Sequence, residues 1–206
     1  MLWITNSSLD SPRPRFHIPS MRSMIATIRA LLVLLLFAAP PNAIAASYTD
    51  SAALDELFAQ LRVSQSPAEA DDVSRQIWSY WLTPDEPKLA ARMSLAGTAL
   101  NSGELATCLK ILDSVVADYP DYSEGWNQRA TVYYMLSNFA ASLADIDKVL
   151  ALEPRHYGAL SGRVLIYLRQ GKHLEALKDM VAALAIHPYL SERQLFPELA
   201  QDVTRT

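Results

Sequence analysis

Three prolines recur at a fixed interval of 34 residues in the C-terminal part of this 206-residue chain. Pro120, Pro154 and Pro188 each follow one segment with helical apolar spacing and precede another. Turn residues lie near the middle of each interval, with Gly103 and Gly171 at equivalent positions. This arrangement predicts a repeated unit of helix, tight turn, helix and proline-marked turn. Because self-similarity of this length is typical of helical solenoids, we expect an all-α fold in which neighbouring units share one core.

Inside the units, the sequence resembles the tetratricopeptide repeat (TPR) pattern W-x2-L-G-x2-Y, A-x3-F and P. The aligned units span residues 89–122, 123–156 and 157–190. The middle unit matches the pattern at Trp126, Ala130, Tyr133, Ser142, Ile146 and Pro154. The third unit matches it at Leu160, Val164, Tyr167, Ala176, Met180 and Pro188, and the first at Ala96, Ala99, Cys108, Leu112 and Pro120. The resemblance implies a right-handed α-solenoid of three helix-turn-helix repeats.

Small and large residues alternate in the units, which predicts close packing of the two helices of each unit. Ala96 and Ala130 on the first helices, with Cys108 and Ser142 on the second, are small where paired helices approach. An apolar stripe on the first helices is expected to face the partner helix. It comprises Leu95, Ala99, Trp126, Tyr133, Leu160 and Tyr167.

Segments on either side of the three units predict two further helical elements. Residues 46–88 are expected to form a degenerate helical pair, since Ser51–Val63 shows helical apolar spacing and Ser66 is a helix N-cap followed by Pro67. Residues 191–206 are expected to form a short capping helix and a tail. Terminal repeats are usually atypical because they cap the stack.

The first 45 residues have the features of a secretory signal peptide. Arg22 and Arg29 precede an apolar run, and Ala43-Ile44-Ala45 supplies small residues for cleavage after Ala45. The unusually long leader before them suggests that translation starts at Met21 or Met24. We expect a periplasmic or secreted protein with no stable membrane span after cleavage. An uncleaved inner-membrane signal anchor is the alternative.

Composition and motifs argue against nucleic-acid binding and catalysis. After residue 45 the net charge is −7, the wrong sign for a phosphate-binding surface. The chain has no glycine-rich phosphate loop and no zinc-protease or hydrolase motif. We interpret Cys108 as a buried, inert thiol, and Asp145 and Asp147 as a solvated helix face. No histidine pairs with another histidine or cysteine at i, i+4, so we expect no metal, no cofactor and no catalytic residue.

The resemblance implies a concave groove that is lined by a second set of positions on the first helices. That set comprises Met93, Gly97, Leu100, Asn127, Thr131, Tyr134, Ser161, Leu165 and Leu168. Gly97, Gly158 and Gly162 are expected to let a ligand backbone approach closely. No cation occupies the positions where some TPR proteins grip a C-terminal carboxylate, so an apolar partner segment suits this groove better.

The resulting hypothesis is a non-catalytic, exported adaptor in the cell envelope of a Gram-negative bacterium. It would bind a partner protein or its peptide segment in the groove. Two alternatives stay open from the sequence. The same apolar surface could join copies into a structural homo-oligomer, or the C-terminal helix could fill the groove.

Overall fold

The computed structural model describes residues 51–199, which form α-helices followed by short 3₁₀ turns at the C-terminal end. The helices are α1 (Ser51–Val63), α2 (Pro67–Leu82), α3 (Pro87–Asn101), α4 (Leu105–Asp118), α5 (Ser123–Met135), α6 (Phe139–Leu152), α7 (Tyr157–Arg169) and α8 (His173–Ile186). Helices α3 to α8 form three successive pairs, and each pair packs on the next. The predicted all-α solenoid is confirmed. Within this range, every helix is too short or too polar to cross a membrane.

The tight turn inside each pair contains one residue with a left-handed backbone. Gly103 and Gly171 have φ values of +74° and +71°, and Ser137 stands at the equivalent position with φ of +58°. In all three turns the next backbone N–H donates to the carbonyl five residues earlier at 2.8 Å. This hydrogen bond satisfies a carbonyl that the end of the first helix leaves free. The turn residues therefore lie where the sequence places them.

Small residues lie where the second helix of a pair contacts the first. Cys108, Ser142 and Ala176 are all buried. The Cys108 Sγ donates to the carbonyl of Ala96 at 3.3 Å, and the Ser142 Oγ donates to the carbonyl of Ala130 at 2.8 Å. The two helices of a pair therefore approach each other closely in successive pairs, because the side chains at this position are small.

One residue of the predicted inward stripe, Leu95, does not face its partner helix, whereas Trp126 packs beside the core that α5 shares with α6. Leu95 is 60% exposed. Trp126 is only half-buried, with its Nε1 donating to the carbonyl of Pro120 at 2.8 Å. Arg129 stands 34 positions after Leu95, and Arg163 stands 34 positions after Arg129. This position therefore serves charged contacts in the second and third pairs rather than an apolar interface.

The interpretation of Asp145 as a solvated residue is wrong. It is 4% exposed, and its carboxylate accepts hydrogen bonds from Nε and Nη2 of Arg129, both at 2.8 Å. Arg163 and Asp179 repeat this pair 34 residues later. Asp147 does remain on the surface, where its carboxylate accepts from Arg163 at 2.9 Å. Bidentate arginine–carboxylate pairs therefore join the two helices of the second and third repeats.

The N-terminal pair lies along the turns that join successive repeats, whereas a cap at one end of the stack was expected. Tyr122, in the first of these turns, donates its hydroxyl to the carbonyl of Trp81. The Trp81 ring stacks on His156 in the second turn at 4.0 Å between centroids. The hydroxyls of Ser74 and Tyr157 are 2.7 Å apart. Helix α1 in turn contacts α8, so the pair spans the length of the stack.

The C-terminal segment folds back onto the last repeat. It forms a 3₁₀ helix over Ser191–Leu195 in place of the predicted amphipathic α-helix. Phe196 is fully buried in the core of the last pair, and Leu199 packs against the same core. Pro197 disfavours α-helical backbone in the residue before it, which accounts for the early end of the helix.

Candidate partner-binding groove

The first helices of the second and third repeats enclose a mostly apolar cavity of about 330 Å³. We call it the central cavity. Its lining includes Asn127, Thr131, Tyr134, Gly162 and Leu165. Four of these five residues belong to the predicted groove set, and Gly162 was predicted to let a ligand approach. The structure therefore brings together residues that are up to 38 positions apart in the sequence.

A lateral cavity of about 440 Å³ adjoins the central one and shares part of its lining. Ser161, another residue of the predicted set, lies here. The opposite wall comes from α2, through Asp71, Ser74 and Trp78. Ser191 and Glu192, at the start of the C-terminal segment, complete the rim. This cavity is more polar than the central cavity and is closed on one side by the N-terminal pair.

A third cavity, of about 330 Å³, lies one repeat earlier between α3 and α5, and we call it the first-repeat cavity. Met93 and Gly97 line it together with Gln128. These two residues stand 34 positions before Asn127 and Thr131 of the central cavity. Leu82 at the end of α2 forms its outer edge. The groove thus contains equivalent cavities in consecutive repeats.

Two residues of the predicted set lie outside these cavities. Leu100 packs beside the core of the first pair, and Leu168 packs beside the core of the third. Met93 contributes to its cavity but is only 6% exposed and belongs to the core of the first pair. Met93 therefore mainly stabilises the first repeat, whereas Leu100 and Leu168 are half-buried beside the cores but line none of these cavities.

The polar residues of the predicted groove set differ in whether their side chains form hydrogen bonds within the described part of the chain. The Asn127 Nδ2 donates to Glu124 at 2.9 Å, and the Thr131 hydroxyl donates to the carbonyl of Asn127 at 3.0 Å. Ser161 is 6% exposed, and its Oγ has no hydrogen-bond partner in the described part of the chain. Only Ser161 therefore has a polar side chain that the chain itself leaves unused.

A buried carboxylate holds Asn127 in place. Glu124 is fully buried and accepts hydrogen bonds from Asn127, from Gln128 at 2.6 Å and from His156 at 3.0 Å. The backbone N–H of Ala159 donates to His156 Nδ1 at 3.1 Å, so Nε2 carries the proton that is donated to Glu124. This network ties the first turn of α5 to the first turn of α7, and it orients one wall of the groove.

The glycines of the groove have unequal roles. A Cβ atom on Gly97 would meet no atom within 4 Å, and one on Gly162 would meet only Ile146 at 3.8 Å. A Cβ on Gly158, in contrast, would lie 2.7 Å from Trp78. The chain's own α2 therefore occupies the space in the Cβ direction of Gly158, while Gly158 still lines both the central and the lateral cavity.

The charges around the groove are concentrated at its α8 end. Asp71 and Glu192 line the lateral cavity, and no lysine or arginine is among the described residues that line it. His187 lies between them and is 4% exposed, and burial lowers the pKa of its imidazole. Arg169, at the other side of the central cavity, donates to the Tyr134 hydroxyl at 2.9 Å. The α8 end of the groove is thus acidic.

The sequence did not lead us to predict that α2 lines part of the groove. This helix carries two tryptophans, Trp78 and Trp81. Trp81 is buried, but Trp78 is only half-buried and lines the lateral cavity. The polar residues Asp71 and Ser74, two turns and one turn before Trp78, were the available signal for a face that lines a cavity.

Three consecutive helix pairs with equivalent turns, joined at shared cores, define a helical-repeat solenoid. The chain is 35% identical over 143 residues to a TPR repeat-containing protein of Rhizobium etli, and the alignment covers 69% of this chain and 70% of the relative. The chain therefore belongs to the tetratricopeptide repeat proteins. No protein-family model matches it.

Other similar proteins match over shorter stretches or with lower identity. DnaJ homolog subfamily C member 3 of Mus musculus is 31% identical over 102 residues, which is 50% of this chain and 20% of that protein. Among solved structures, MamA is 18% identical with a TM-score of 0.45, covering 82% of this chain and 95% of that one.

Proposed function

We propose that this protein is a non-catalytic adaptor that binds a segment of a partner protein in its groove. The recurrence of equivalent cavities along the first helices carries this proposal. Solenoids of this type offer an extended surface on a rigid frame. The central and first-repeat cavities are largely apolar, and α2 borders the lateral and first-repeat cavities on their outer side. Such a surface suits a partner that inserts side chains one after another.

Affinity would come mainly from burial of apolar side chains of the partner. Tyr134 and Leu165 are half-buried and line the central cavity, so each has surface left to cover. Burying one large apolar side chain contributes about 1.5–3 kcal/mol. A few such anchors usually account for most of the affinity of an interface. Thr131, which is exposed at the rim, is in position to contact the partner's backbone.

Capture of partners from an envelope extract by the full-length chain tests this proposal. Thr131→Arg places a long charged side chain over the central cavity and should abolish capture. Thr98→Arg is a matched control, since both threonines are exposed and donate to the carbonyl four residues earlier at 3.0 Å. A partner that is retained by wild type and Thr98→Arg but not by Thr131→Arg, and that binds again as a purified protein, supports the groove. Equal capture by all three chains contradicts it.

We also propose that the protein acts in the periplasm after removal of a signal peptide. The basic region, apolar run and small-residue site within residues 1–45 support this location, and these residues lie outside the described ones. N-terminal sequencing of the protein from a periplasmic fraction should show a start near Ala46. A full-length chain retained with the inner membrane would favour the signal anchor instead. A precursor that begins at Met1 would exclude initiation at Met21 or Met24.

Self-association is a second candidate function, and the surface of α3 favours it. Leu95 is 60% exposed at the position where the later repeats have Arg129 and Arg163. A contact through this side chain would join copies of the chain at the first repeat. Analytical ultracentrifugation should then show concentration-dependent mass that Leu95→Arg removes. A monomer at all concentrations excludes this function.

A further inference from the structure

The central and lateral cavities adjoin one another between α5 and α7. Five residues line both of them: Asn127, Thr131, Gly158, Gly162 and Leu165. Clefts of about 300–1,000 Å³ with a mainly apolar lining and a few convergent polar groups are typical sites for small molecules. The central cavity has about 330 Å³ and the lateral cavity about 440 Å³. One small ligand therefore has room to extend from one cavity into the other.

The central cavity offers such a ligand mainly apolar contacts. Its lining is mostly apolar, and its polar side chains are hydrogen-bonded within the chain. The Ser142 hydroxyl donates to the carbonyl of Ala130 at 2.8 Å, and the Tyr134 hydroxyl accepts from Arg169 at 2.9 Å. An uncharged, apolar part of a ligand therefore suits this cavity.

The lateral cavity has two carboxylates that the fold leaves without a cation. Asp71 lies on α2 and Glu192 on the C-terminal segment, so they belong to different walls. Within the described residues neither forms an ion pair, and Glu192 accepts a hydrogen bond from the adjacent Ser191 hydroxyl at 3.2 Å. No lysine or arginine is among the described residues that line either cavity. A cationic ligand would therefore meet uncompensated negative charge here.

His187 does not supply the missing positive charge. Its side chain lines the lateral cavity and is 4% exposed. Burial lowers the pKa of the imidazole by more than the neighbouring charges of Asp71 and Glu192 raise it, so the ring is neutral at about pH 7. Asp71 and Glu192 therefore keep a net negative charge in this cavity.

Aromatic rings beside these carboxylates favour an organic cation. Trp78 and Tyr189 line the lateral cavity and are half-buried, so both have surface left to cover. Ammonium groups are attracted to the faces of such rings, most strongly to tryptophan. Ser161 lines the same cavity, and its buried Oγ has no hydrogen-bond partner in the described part of the chain. An ammonium group is a hydrogen-bond donor only, so it suits both this oxygen and the carboxylates.

We propose that the two adjoining cavities bind a small organic cation, which consists of an ammonium group on an apolar aryl or alkyl body. The body occupies the central cavity, and the ammonium group lies in the lateral cavity beside Asp71 and Glu192. Arg169 disfavours the reverse orientation, because its guanidinium contacts Tyr134 at the central cavity. This inference goes beyond the adaptor function, since it assigns a small molecule rather than a protein segment to the site.

Isothermal titration calorimetry of the full-length chain tests this proposal. The probes are 2-phenylethylamine and hexylamine, their uncharged counterparts 2-phenylethanol and hexanol, and ethylamine, which lacks the apolar body. At least one of the two larger amines should saturate a single site, and its alcohol and ethylamine should bind about tenfold more weakly or less. Equal affinity of amine and alcohol overturns the proposal. So does the absence of saturable binding with a Kd below about 1 mM for both larger amines.

The contact with the ammonium group has its own variants. Asp71→Asn combined with Glu192→Gln should weaken amine binding about tenfold and leave alcohol binding unchanged. Asp72→Asn is the matched control, because Asp72 pairs with Arg75 and does not line the cavity. Equal weakening by Asp72→Asn, or no weakening by the double variant, overturns the charge contact.

The position of the apolar body is tested at Gly162, which lines both cavities. A Cβ at this position would meet only Ile146, at 3.8 Å, so Gly162→Val adds methyl groups where there is room for them. It should weaken the binding of amines and alcohols alike by about tenfold or more. Ala144→Val, on the exposed face of α6, is the control for a β-branched residue in a helix. Unchanged affinity in a Gly162→Val chain with normal helical circular dichroism overturns this position, and if that variant does not fold, the two carboxylate substitutions decide the proposal.

The outcomes separate this inference from the adaptor function. If no amine binds but the extract yields a partner that Thr131→Arg loses, the adaptor function stands and this inference fails. If an amine binds and the double carboxylate variant loses it, this inference stands whether or not a partner protein is captured.

Discussion

Trp78 lies so close to the backbone of Gly158 that a Cβ at that position would be 2.7 Å from the indole ring. The ring is held there by edge-to-face contacts with Trp81, His156 and Tyr157, at 5.1, 5.6 and 5.9 Å between centroids. This contact places α2 against the first turn of α7. It also explains why a glycine stands where the equivalent residue of the preceding repeat is Glu124.

Gly158→Ala should therefore destabilise the protein, because the new Cβ would push the Trp78 ring out of its contacts with Trp81, His156 and Tyr157. We expect a loss of about 1–3 kcal/mol, as for other insertions into packed sites, measured by urea denaturation. Gly97→Ala is the matched control in α3, since its Cβ meets nothing within 4 Å. It should stabilise the protein by up to about 1 kcal/mol through helix propensity alone. The same sign for both substitutions would contradict the contact.

Asp145→Ala should be among the most damaging substitutions of a charged residue in the repeats. It would leave Arg129, whose side chain is 16% exposed, without its bidentate partner. Removing one member of a buried ion pair costs about 3–5 kcal/mol. Thermal or urea unfolding measures this loss.

Asp147→Ala provides the comparison, two residues further along the same helix. Its side chain is 69% exposed, so loss of its contact with Arg163 should cost about 1 kcal/mol or less. Equal losses for the two substitutions would show that burial of Asp145 is not what makes its ion pair important.

Trp81→Ala should cost much more stability than Trp126→Ala. Trp81 is 3% exposed and stacks on His156, and removing such a buried ring costs about 3–5 kcal/mol. Trp126 is the tryptophan of the repeat pattern but is half-buried, so we expect a loss in the ordinary range of about 0.5–3 kcal/mol. Chemical denaturation of both variants checks the order, and a larger loss at Trp126 would contradict it.

Stability should fall as the pH drops below about 6.5, the ordinary pKa of histidine. Burial lowers the pKa of His187 in the folded chain. Between the lowered and the ordinary pKa, the unfolded state binds more protons, so acidification favours unfolding. His187→Phe keeps a ring beside Tyr157 and removes the titrating group. Its free energy of unfolding should change less between pH 7 and pH 5 than that of wild type. Identical slopes would exclude this contribution from His187.

The solenoid and its turns could be predicted because they depend on local spacing. The 34-residue interval of Pro120, Pro154 and Pro188, the glycines at 103 and 171, and the small residues at 108, 142 and 176 all describe contacts within a repeat or between neighbours. Such contacts recur in each repeat because the residues that form them recur every 34 positions. Most of the predicted groove residues also face cavities for this reason, since one helical position faces the same direction in every repeat.

The burial of Asp145 and the exposure of Leu95 could not be predicted from residue type. A charged residue is solvated unless a partner is supplied, and the partner of Asp145 stands 16 residues away on another helix. Leu95 is apolar, yet no neighbouring helix covers it in the first repeat. A leucine also cannot form the ion pair that arginine forms at this position in the later repeats. Both outcomes depend on which side chains meet across the pair.

By itself, the sequence determined the helical class, the repeat length, the turns and the register of the groove-facing positions, because periodic residues specify periodic contacts. Only the tertiary structure decided where the N-terminal pair lies. Ser74 meets Tyr157 across 83 residues, and Trp78 fills the space above Gly158. No periodicity links α2 to the repeats, since it is a single copy that packs across several of them. Its position, and with it the outer wall of the groove, follows from complementary shapes that form only once the repeats are stacked.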